Sequence, residues 1–189
     1  MTAASGCALF DTAIGRCGIA WSEHGVAGVQ LPEASEAETR GRVVRRVPRA
    51  PEAPPPPAIR HVVEGIVDLL AGRRTPAAAL AFVELDLKGI PDFERDVYAV
   101  ARTVGPGDTL TYGDIARRLG EPGAPRAVGQ ALGRNPWPLV VPCHRVLAAS
   151  GRLGGFSASG GAALKLRLLQ IEGARGLPVG GLFDEEAGS

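Results

Sequence analysis

The chain has few cysteines, few aromatic residues and no long hydrophobic run. Its 189 residues include three cysteines, two tryptophans, two tyrosines and five phenylalanines. An odd set of three cysteines, Cys7, Cys17 and Cys143, argues against a disulfide framework and fits a reducing compartment. No apolar run approaches the roughly 20 residues that cross a bilayer, and the N-terminus lacks a basic region followed by an apolar core. We therefore expect a cytoplasmic protein with no membrane partner.

The net charge of +1 hides an uneven distribution along the chain. Residues 1–90 balance 10 basic against 10 acidic side chains, whereas residues 91–175 hold 11 against 7, a surplus of +4. Residues 176–189 hold three acidic side chains and no basic one. The basic surplus therefore lies in the part of the chain that contains Cys143, which fits a polyanionic partner.

The first 90 residues read as an N-terminal domain that mixes strands with a helix. Apolar patterns predict strands at residues 8–14, 17–21 and 26–31, with a turn at Gly15 and Arg16. Six prolines between residues 48 and 57 predict an extended connector. Apolar residues at helical spacing predict a helix over 59–70, stopped by Gly72, and alternation predicts a strand over 80–87. We place the domain boundary between residues 90 and 91.

Residues 91–175 change to a helical pattern, and residues 176–189 read as an acidic flexible tail. One helical face runs from residue 93 to 104. Thr111 and Asp114 resemble a capping box that opens a helix through Leu119. A turn at 120–125 and a second helix at 126–133 complete a helix-turn-helix plan, which alone is weak evidence for DNA binding. The second helix carries tiny side chains, so it could approach another surface closely.

The most informative segment is residues 135–146, Asn-Pro-Trp-Pro-Leu-Val-Val-Pro-Cys-His-Arg-Val. A thiol is nucleophilic as its thiolate, and a nearby imidazole or positive charge favours that form. The alternative is a buried structural cysteine, which is how most free cysteines behave. Neighbouring side chains do not face each other on a helix or a strand, so His144 is expected to reach Cys143 through a water molecule.

Two features follow this segment. Residues 151–161 form a glycine-rich stretch that contains Phe156 and Ser157, and it could be a connector or could close over a pocket. A last helix then ends at Glu172, with Gly173 as its cap. A glutamate opposes the helix macrodipole at that end, so a second role, orienting an imidazole, would explain its position.

Taken together, these motifs resemble the O6-alkylguanine-DNA alkyltransferases, also called methylated-DNA–protein-cysteine methyltransferases. The resemblance covers about residues 90–175, and the N-terminal half matches only in outline. It runs through Thr-Tyr-Gly-Asp-Ile-Ala at 111–116, Pro-Arg-Ala-Val-Gly at 125–129, Asn-Pro at 135–136, Val-Pro-Cys-His-Arg-Val at 141–146, Gly-Gly-Phe-Ser at 154–157, Lys165 and Glu-Gly at 172–173.

The resemblance implies a mixed α/β (α+β) fold and a set of residue roles. The N-terminal domain would have a ribonuclease H-like outline, and the C-terminal domain would be a winged helix-turn-helix that binds DNA. Cys143 would accept the alkyl group, with His144 and Glu172 as a proton relay, Asn135 as a brace, and Tyr112 as a proton donor. Arg126 would fill the stack vacated by a flipped guanine, Ala127, Gly129, Gln130 and Tyr112 would lie against the minor groove, and Val146, Phe156 and Ser157 would line the base pocket.

The implied function is direct-reversal DNA repair by a monomer acting on alkylated double-stranded DNA. One alkyl group, from O6-alkylguanine or O4-alkylthymine, would be transferred per protein molecule; cooperative binding along DNA is left open. Some relatives hold a structural zinc, but Cys7, Cys17, His24 and His61 follow no zinc spacing, so no metal or cofactor is expected. The alternatives are a non-catalytic sensor of alkylated DNA, in which the acceptor cysteine is commonly replaced, and a thiol hydrolase, for which no glycine-elbow signature is found.

Overall fold

The N-terminal half is built on a three-stranded antiparallel sheet. The structure is a computed structural model and describes residues 5–149, 151–175 and 177. The strands β1 (Gly6–Thr12), β2 (Gly15–Ser22) and β3 (Gly25–Gln30) lie in the order β1-β2-β3. The first turn falls two residues earlier than predicted, because Gly15 pairs with Thr12 and begins β2 at a φ of 123°.

Two helices flank this sheet. Helix α1 (Glu36–Val44) was not predicted; its N-cap is Ser35, whose side chain accepts a hydrogen bond from the Glu38 amide. Helix α2 (Pro57–Leu70) matches the predicted helix. The proline-rich connector between them is free of helix over residues 50–56, and it runs beside β1 through two backbone hydrogen bonds with Cys7. This agrees with the extended conformation predicted for it.

The strand predicted for residues 80–87 is wrong. A short 3-10 turn, Ala77–Ala79, ends at Leu80, which takes a left-handed conformation with a φ of 56°. The segment then makes a single bridge to β3, between Leu85 and Val26. Of the apolar residues in this segment, Leu80 and Val83 are buried in the core as loop side chains, whereas Phe82 is exposed. The alternating pattern therefore reflects the burial of some loop side chains and not a ladder of strand hydrogen bonds.

The C-terminal half is mainly helical. Its elements are α3 (Asp92–Ala101), β4 (Leu110–Thr111), α4 (Tyr112–Arg118), α5 (Pro125–Gly133), β5 (Val146–Leu147) and α6 (Gly161–Ile171). The capping box predicted at Thr111 and Asp114 is present in full and opens α4. Strands β4 and β5 pair in parallel and thereby place the start of α4 beside the segment that follows Cys143. The mixed α/β prediction is confirmed.

One hydrophobic cluster joins the two halves. It contains sheet residues such as Ile19 and helix residues such as Val97, with Trp137 buried among them. The Trp137 indole Nε1 donates to the Val26 carbonyl at 2.6 Å, and the Val29 amide donates to the Pro136 carbonyl at 2.9 Å. Strand β3 thereby holds the segment that leads to Cys143. Within the described ranges, the model has no helix with the length and apolar character of a membrane span.

Candidate active site

Cys143 begins a tight turn directly after Pro142. Residues Cys143–Arg145 form a single 3-10 turn, in which the Arg145 amide donates to the Pro142 carbonyl at 2.9 Å. Just before it, Leu139 has a φ of 75°, which bends the chain into the buried run that precedes the thiol. Cys143 retains 9% exposure, whereas His144 has none. The two neighbouring side chains therefore occupy different environments.

Asn135 braces the segment that carries the thiol. Its Nδ2 donates to the Val141 carbonyl at 2.8 Å, and its Oδ1 accepts from the Trp137 amide at 2.9 Å. One amide side chain thus ties both ends of the loop that precedes Pro142. A hydrogen bond from Asn135 also favours the thiolate of Cys143. The position predicted for Asn135 as a brace fits this geometry.

A buried ion cluster lies behind the thiol. The Nε2 of His144 lies 2.8 Å from Oε1 of Glu172. Arg145 donates to both oxygens of the same carboxylate, from Nε and Nη2, each at 2.8 Å, and its Nη1 donates to the Val104 carbonyl at 2.6 Å. Glu172 is the C-cap residue of α6, so the end of that helix carries the carboxylate that both side chains contact. Sequence reasoning placed His144 and Glu172 together but missed the part played by Arg145.

The protonation states follow from this cluster. Burial would raise the pKa of Glu172, but the hydrogen bonds from His144 and Arg145 outweigh it and lower that pKa to about 2. Burial lowers the pKa of His144, only partly opposed by Glu172. The imidazole is therefore neutral at pH 7, its Nε2–H donates to Glu172, and its Nδ1 presents a lone pair. That Nδ1 is buried and makes no hydrogen bond to any described group.

Lys165 is the second cation of the site. It is fully buried in α6, and its Nζ donates to the Val146 carbonyl at 2.7 Å and to the Gly155 carbonyl at 3.4 Å. Burial lowers its pKa to about 8, while a thiolate at Cys143 raises it. One sequence signal could have identified this buried cation: Lys165 stands within the apolar face of the predicted helix, between Leu164 and Leu168.

Opposing effects act on the pKa of the Cys143 thiol. Burial raises the pKa of Cys143 above its ordinary value. The hydrogen bond from Asn135, the charge of Lys165 and nearby backbone amides oppose that rise. A thiol in this position reacts when a base removes its proton at the moment of attack.

Cys143 opens onto a cavity of about 790 Å³. The predicted residues that line it with the thiol are Tyr112, Arg126, Gly129, Gln130, Phe156 and Ser157. Ala127 lies half-buried on α5 outside this lining, and Val146 is fully buried with its carbonyl bound by Lys165. His144, Glu172 and Asn135 lie behind the thiol and not on the cavity wall.

Tyr112 stands at the mouth of this cavity because α4 begins there. Its ring packs against Gly129 of α5, where an added Cβ would lie 3.8 Å away, and against Gly154, where an added Cβ would lie 3.3 Å from the hydroxyl. Burial raises the pKa of Tyr112, and a thiolate at Cys143 adds to the rise. Tyr112 is therefore a protonated hydroxyl in the same cavity as the Cys143 thiol.

The four residues considered as zinc ligands lie in different environments. Cys7 and Cys17 are buried in the sheet, whereas His24 and His61 lie at the surface, each 3.5 Å from a carboxylate, of Glu23 and Glu64 respectively. Within the described residues, no three His, Cys, Asp or Glu side chains come together as metal ligands would.

Comparison with known proteins points to one family. The model of the family described as "6-O-methylguanine DNA methyltransferase, DNA binding domain" matches residues 92–174. The chain is 35% identical over 156 residues to a methylated-DNA–protein-cysteine methyltransferase of Methanothermobacter thermautotrophicus, covering 82% of this chain and 78% of that protein. It is 43% identical over 131 residues to the Mycobacterium tuberculosis protein of the same name, covering 69% and 75%.

Solved structures agree in fold. The crystal structure of Mycobacterium tuberculosis OGT in complex with DNA superposes with a TM-score of 0.70 at 35% identity, covering 92% of this chain and 96% of that one. The O6-methylguanine-DNA methyltransferase of Pyrococcus kodakaraensis KOD1 superposes with a TM-score of 0.62 at 29% identity, covering 89% and 99%. The likeness therefore extends across both halves of the chain.

Proposed function

The chain belongs to the methylated-DNA–protein-cysteine methyltransferase family, whose activity is alkyl transfer from O6-methylguanine in DNA to a protein cysteine, and we propose that the acceptor here is Cys143. This assignment rests on the position of Cys143, which lines the cavity of about 790 Å³ together with Tyr112 and Arg126. The other two cysteines, Cys7 and Cys17, are buried in the N-terminal sheet.

The thiol proton would leave through His144. The neutral imidazole donates to Glu172 through Nε2, so its buried Nδ1 is the atom that can accept a proton, through a bridging water. The resulting imidazolium would be stabilised by the Glu172 carboxylate, which stays ionised because Arg145 holds it. This is the role that the resemblance assigned to the pair.

The transfer itself is an in-line displacement. The sulfur forms a bond to the alkyl carbon while the bond from that carbon to O6 breaks, and the electron pair leaves with the guanine. Tyr112 would supply a proton to the departing base and recover one from the relay, so that overall the thiol proton replaces the alkyl group. The product is a thioether with no second acceptor nearby, so each protein molecule would act once.

The base must leave the duplex to reach Cys143, at a cost of a few kcal/mol. Helices α4 and α5 form the helix-turn-helix, and Arg126 lies on α5 at the mouth of the cavity. A planar guanidinium inserted into the stack would offset the lost stacking. Ala127, Gly129 and Gln130 on the same helix would lie against the minor groove.

The same proposal covers the localisation, the oligomeric state and the range of lesions. We expect a cytoplasmic monomer that acts on double-stranded DNA and accepts O4-alkylthymine as well as O6-alkylguanine. The competing sensor function is disfavoured by the presence of the acceptor cysteine, since sensors of this kind replace it. A thiol hydrolase would need an oxyanion hole and steady turnover, and the sequence has no glycine-elbow signature to support it.

Intact mass measures this function directly. After incubation with duplex DNA that contains O6-methylguanine, the protein should gain one methyl group per molecule and the DNA should contain guanine. The gain should be absent in Cys143→Ala and unchanged in Cys7→Ala, which removes a different buried thiol. Unrepaired DNA and an unchanged mass for the wild type would refute alkyl transfer, and repeated turnover on an ester would favour the hydrolase.

A further inference from the structure

Cys143 lies at the junction of two cavities. Besides the large one, it lines a second cavity of about 310 Å³. Phe156 and Ser157 line both, so the two spaces meet beside the thiol. Strand β3 and helix α1 contribute Val29 and Arg42 to its lining, and Leu31 and Arg46 come from the segments that follow these two elements. It is therefore formed between the N-terminal half and the reactive segment.

The geometry of the proposed transfer indicates what the second cavity would hold. In an in-line displacement, the sulfur, the alkyl carbon and the leaving oxygen lie on one line, so the other substituents of that carbon point sideways. When the base fills the large cavity, a longer alkyl group must extend away from it, past the thiol. The second cavity is the space that the thiol adjoins on another side.

The walls of the second cavity combine apolar surface with charge. Val29, Leu31 and Pro138 offer apolar contacts, and the charged lining residues are Glu33, Arg42, Arg46 and Arg134. Two of these arginines are neutralised by close carboxylates. Arg42 lies 3.1 Å from Glu33, and Arg134 lies 2.6 Å from Glu94, a residue outside the lining.

Arg46 is different, because no carboxylate of the described residues lies within ion-pair distance of it. Its stem rests on β3 at Gly28, where an added Cβ would lie 3.0 Å from the Arg46 Cγ. The glycine thus leaves room for the stem to cross the strand toward the cavity. Arg46 is an exposed residue, but partial burial of its guanidinium lowers its pKa, and the charges of Arg42 and Arg45 add to this. Its environment therefore carries positive charge that no protein group compensates.

We propose that Arg46, in the lining of the second cavity, selects alkyl tails that end in an anion such as a carboxylate over neutral tails of the same length. The carboxylate would pair with the guanidinium and would remain unchanged, while the carbon bound to O6 moves to the sulfur as for methyl. This inference rests on the proposed function, because it concerns the range of groups that Cys143 accepts.

The test uses matched lesions in duplex DNA. Guanines would carry O6-carboxyalkyl chains with one to three methylene groups, each paired with the neutral amide of the same length. At each chain length, the single-turnover rate constant for the carboxylate lesion is divided by that for the amide lesion. Comparing this ratio between proteins cancels the intrinsic reactivity of each lesion. Arg46→Gln should lower that ratio about fivefold at the length that reaches the guanidinium. Arg46→Lys should retain part of it.

Two controls make the outcome specific. Arg45→Gln removes a neighbouring exposed arginine that does not line this cavity, and it should leave the ratio unchanged. Transfer from O6-methylguanine should stay near the wild-type rate in all three variants, which also shows that they fold.

Three results would overturn the inference, and they are distinguishable. If Arg46→Gln left the ratio unchanged at every chain length, the selectivity proposed for Arg46 would be wrong and the proposed function would stand. An equal slowing of methyl, amide and carboxylate lesions would place Arg46 on the DNA backbone instead. Failure of the wild type to accept methyl from O6-methylguanine would overturn the proposed function and this inference with it.

Discussion

The Nε2 of His144 lies 2.8 Å from Oε1 of Glu172, and both side chains are almost wholly buried. The same carboxylate also neutralises Arg145. Glu172 therefore contacts two groups, and experiments can separate the proposed role in proton transfer through His144 from the stabilisation of the buried Arg145 cation.

Replacing Glu172 by Gln should destabilise the fold. The change leaves the guanidinium of Arg145 buried without a counter-charge, which typically costs about 3–5 kcal/mol. Urea unfolding at pH 7 measures the loss. Glu64→Gln is the matched control, because Glu64 pairs with His61 at the surface and its loss should cost well under 1 kcal/mol, as about 0–1 is usual for exposed pairs. Equal losses in the two variants would contradict the importance of the buried cluster.

The stability that Glu172 confers should depend on pH in a defined window. Its folded-state pKa is lowered from 4.5 to about 2, so its contribution is full above the ordinary pKa and is lost as the pH falls through about 2. The shift corresponds to about 3 kcal/mol. The difference in unfolding free energy between wild type and Glu172→Gln should therefore shrink between pH 5 and pH 2. A difference that stays constant over that range would show that the carboxylate is not held ionised.

Removing the charge of Lys165 should make the thiol harder to deprotonate. The ammonium favours the Cys143 thiolate at pH values below about 8, where Lys165 remains protonated. In Lys165→Met the pKa of Cys143 rises, and alkylation by iodoacetamide at pH 7 should slow about tenfold for each unit of that rise. The pH–rate profile should move to higher pH. Arg167→Gln, on the same helix but exposed, should leave the profile in place.

Gly129→Ala should separate folding from DNA binding. Its Cβ would meet the Tyr112 ring at an ordinary 3.8 Å, so the fold tolerates it, and helix propensity favours alanine by up to about 1 kcal/mol. The added methyl group would stand on the face of α5 that approaches DNA, so the affinity for duplex DNA should fall. Gly41→Ala on α1 is the control: its nearest neighbour is the far end of Arg45 at 3.9 Å, and only stability should change. Unchanged DNA affinity in Gly129→Ala would contradict a close approach by α5.

Arg126→Ala should impair repair of duplex DNA more than reaction with free O6-benzylguanine. The free base needs no extrusion, so only the duplex reaction requires a side chain that fills the stack. Rates on both substrates, with Arg60→Ala on the exposed surface of α2 as control, measure the difference. Equal losses on the two substrates would rule out the proposed role of Arg126 in base extrusion.

The sequence predicted those features of the site that depend on residues close together along the chain. The capping box of Thr111 and Asp114 is one example, because both partners lie three residues apart. The stiff presentation of Cys143 after Pro142 is another. The family resemblance supplied the distant partner Glu172, which periodicity alone left as one of many solvated glutamates.

Features that depend on contacts across the fold were missed. The alternation at residues 80–87 comes from a loop in which Leu80 and Val83 are buried, and a left-handed turn at Leu80 and a single bridge at Leu85 take the place of a strand. Helix α1 has little apolar periodicity, since it buries only Thr39 and Val43. The link between Arg145 and Glu172 joins residues 27 positions apart, so no local pattern could indicate it.

The contacts between β3 and the reactive segment bear on how such a protein can diverge. Val26 and Val29 hold Trp137 and Pro136 through backbone carbonyl and amide groups, and the side chains of the strand take no part in these bonds. The two hydrogen bonds therefore do not depend on which side chains the strand carries, so the sheet can change its residues and still fix the thiol in place, provided that the strand keeps its path and its buried side chains still fill the shared core. A chimera that joins this C-terminal half to the sheet of a distant relative should then retain a correctly placed nucleophile, even where the two sheets share little sequence.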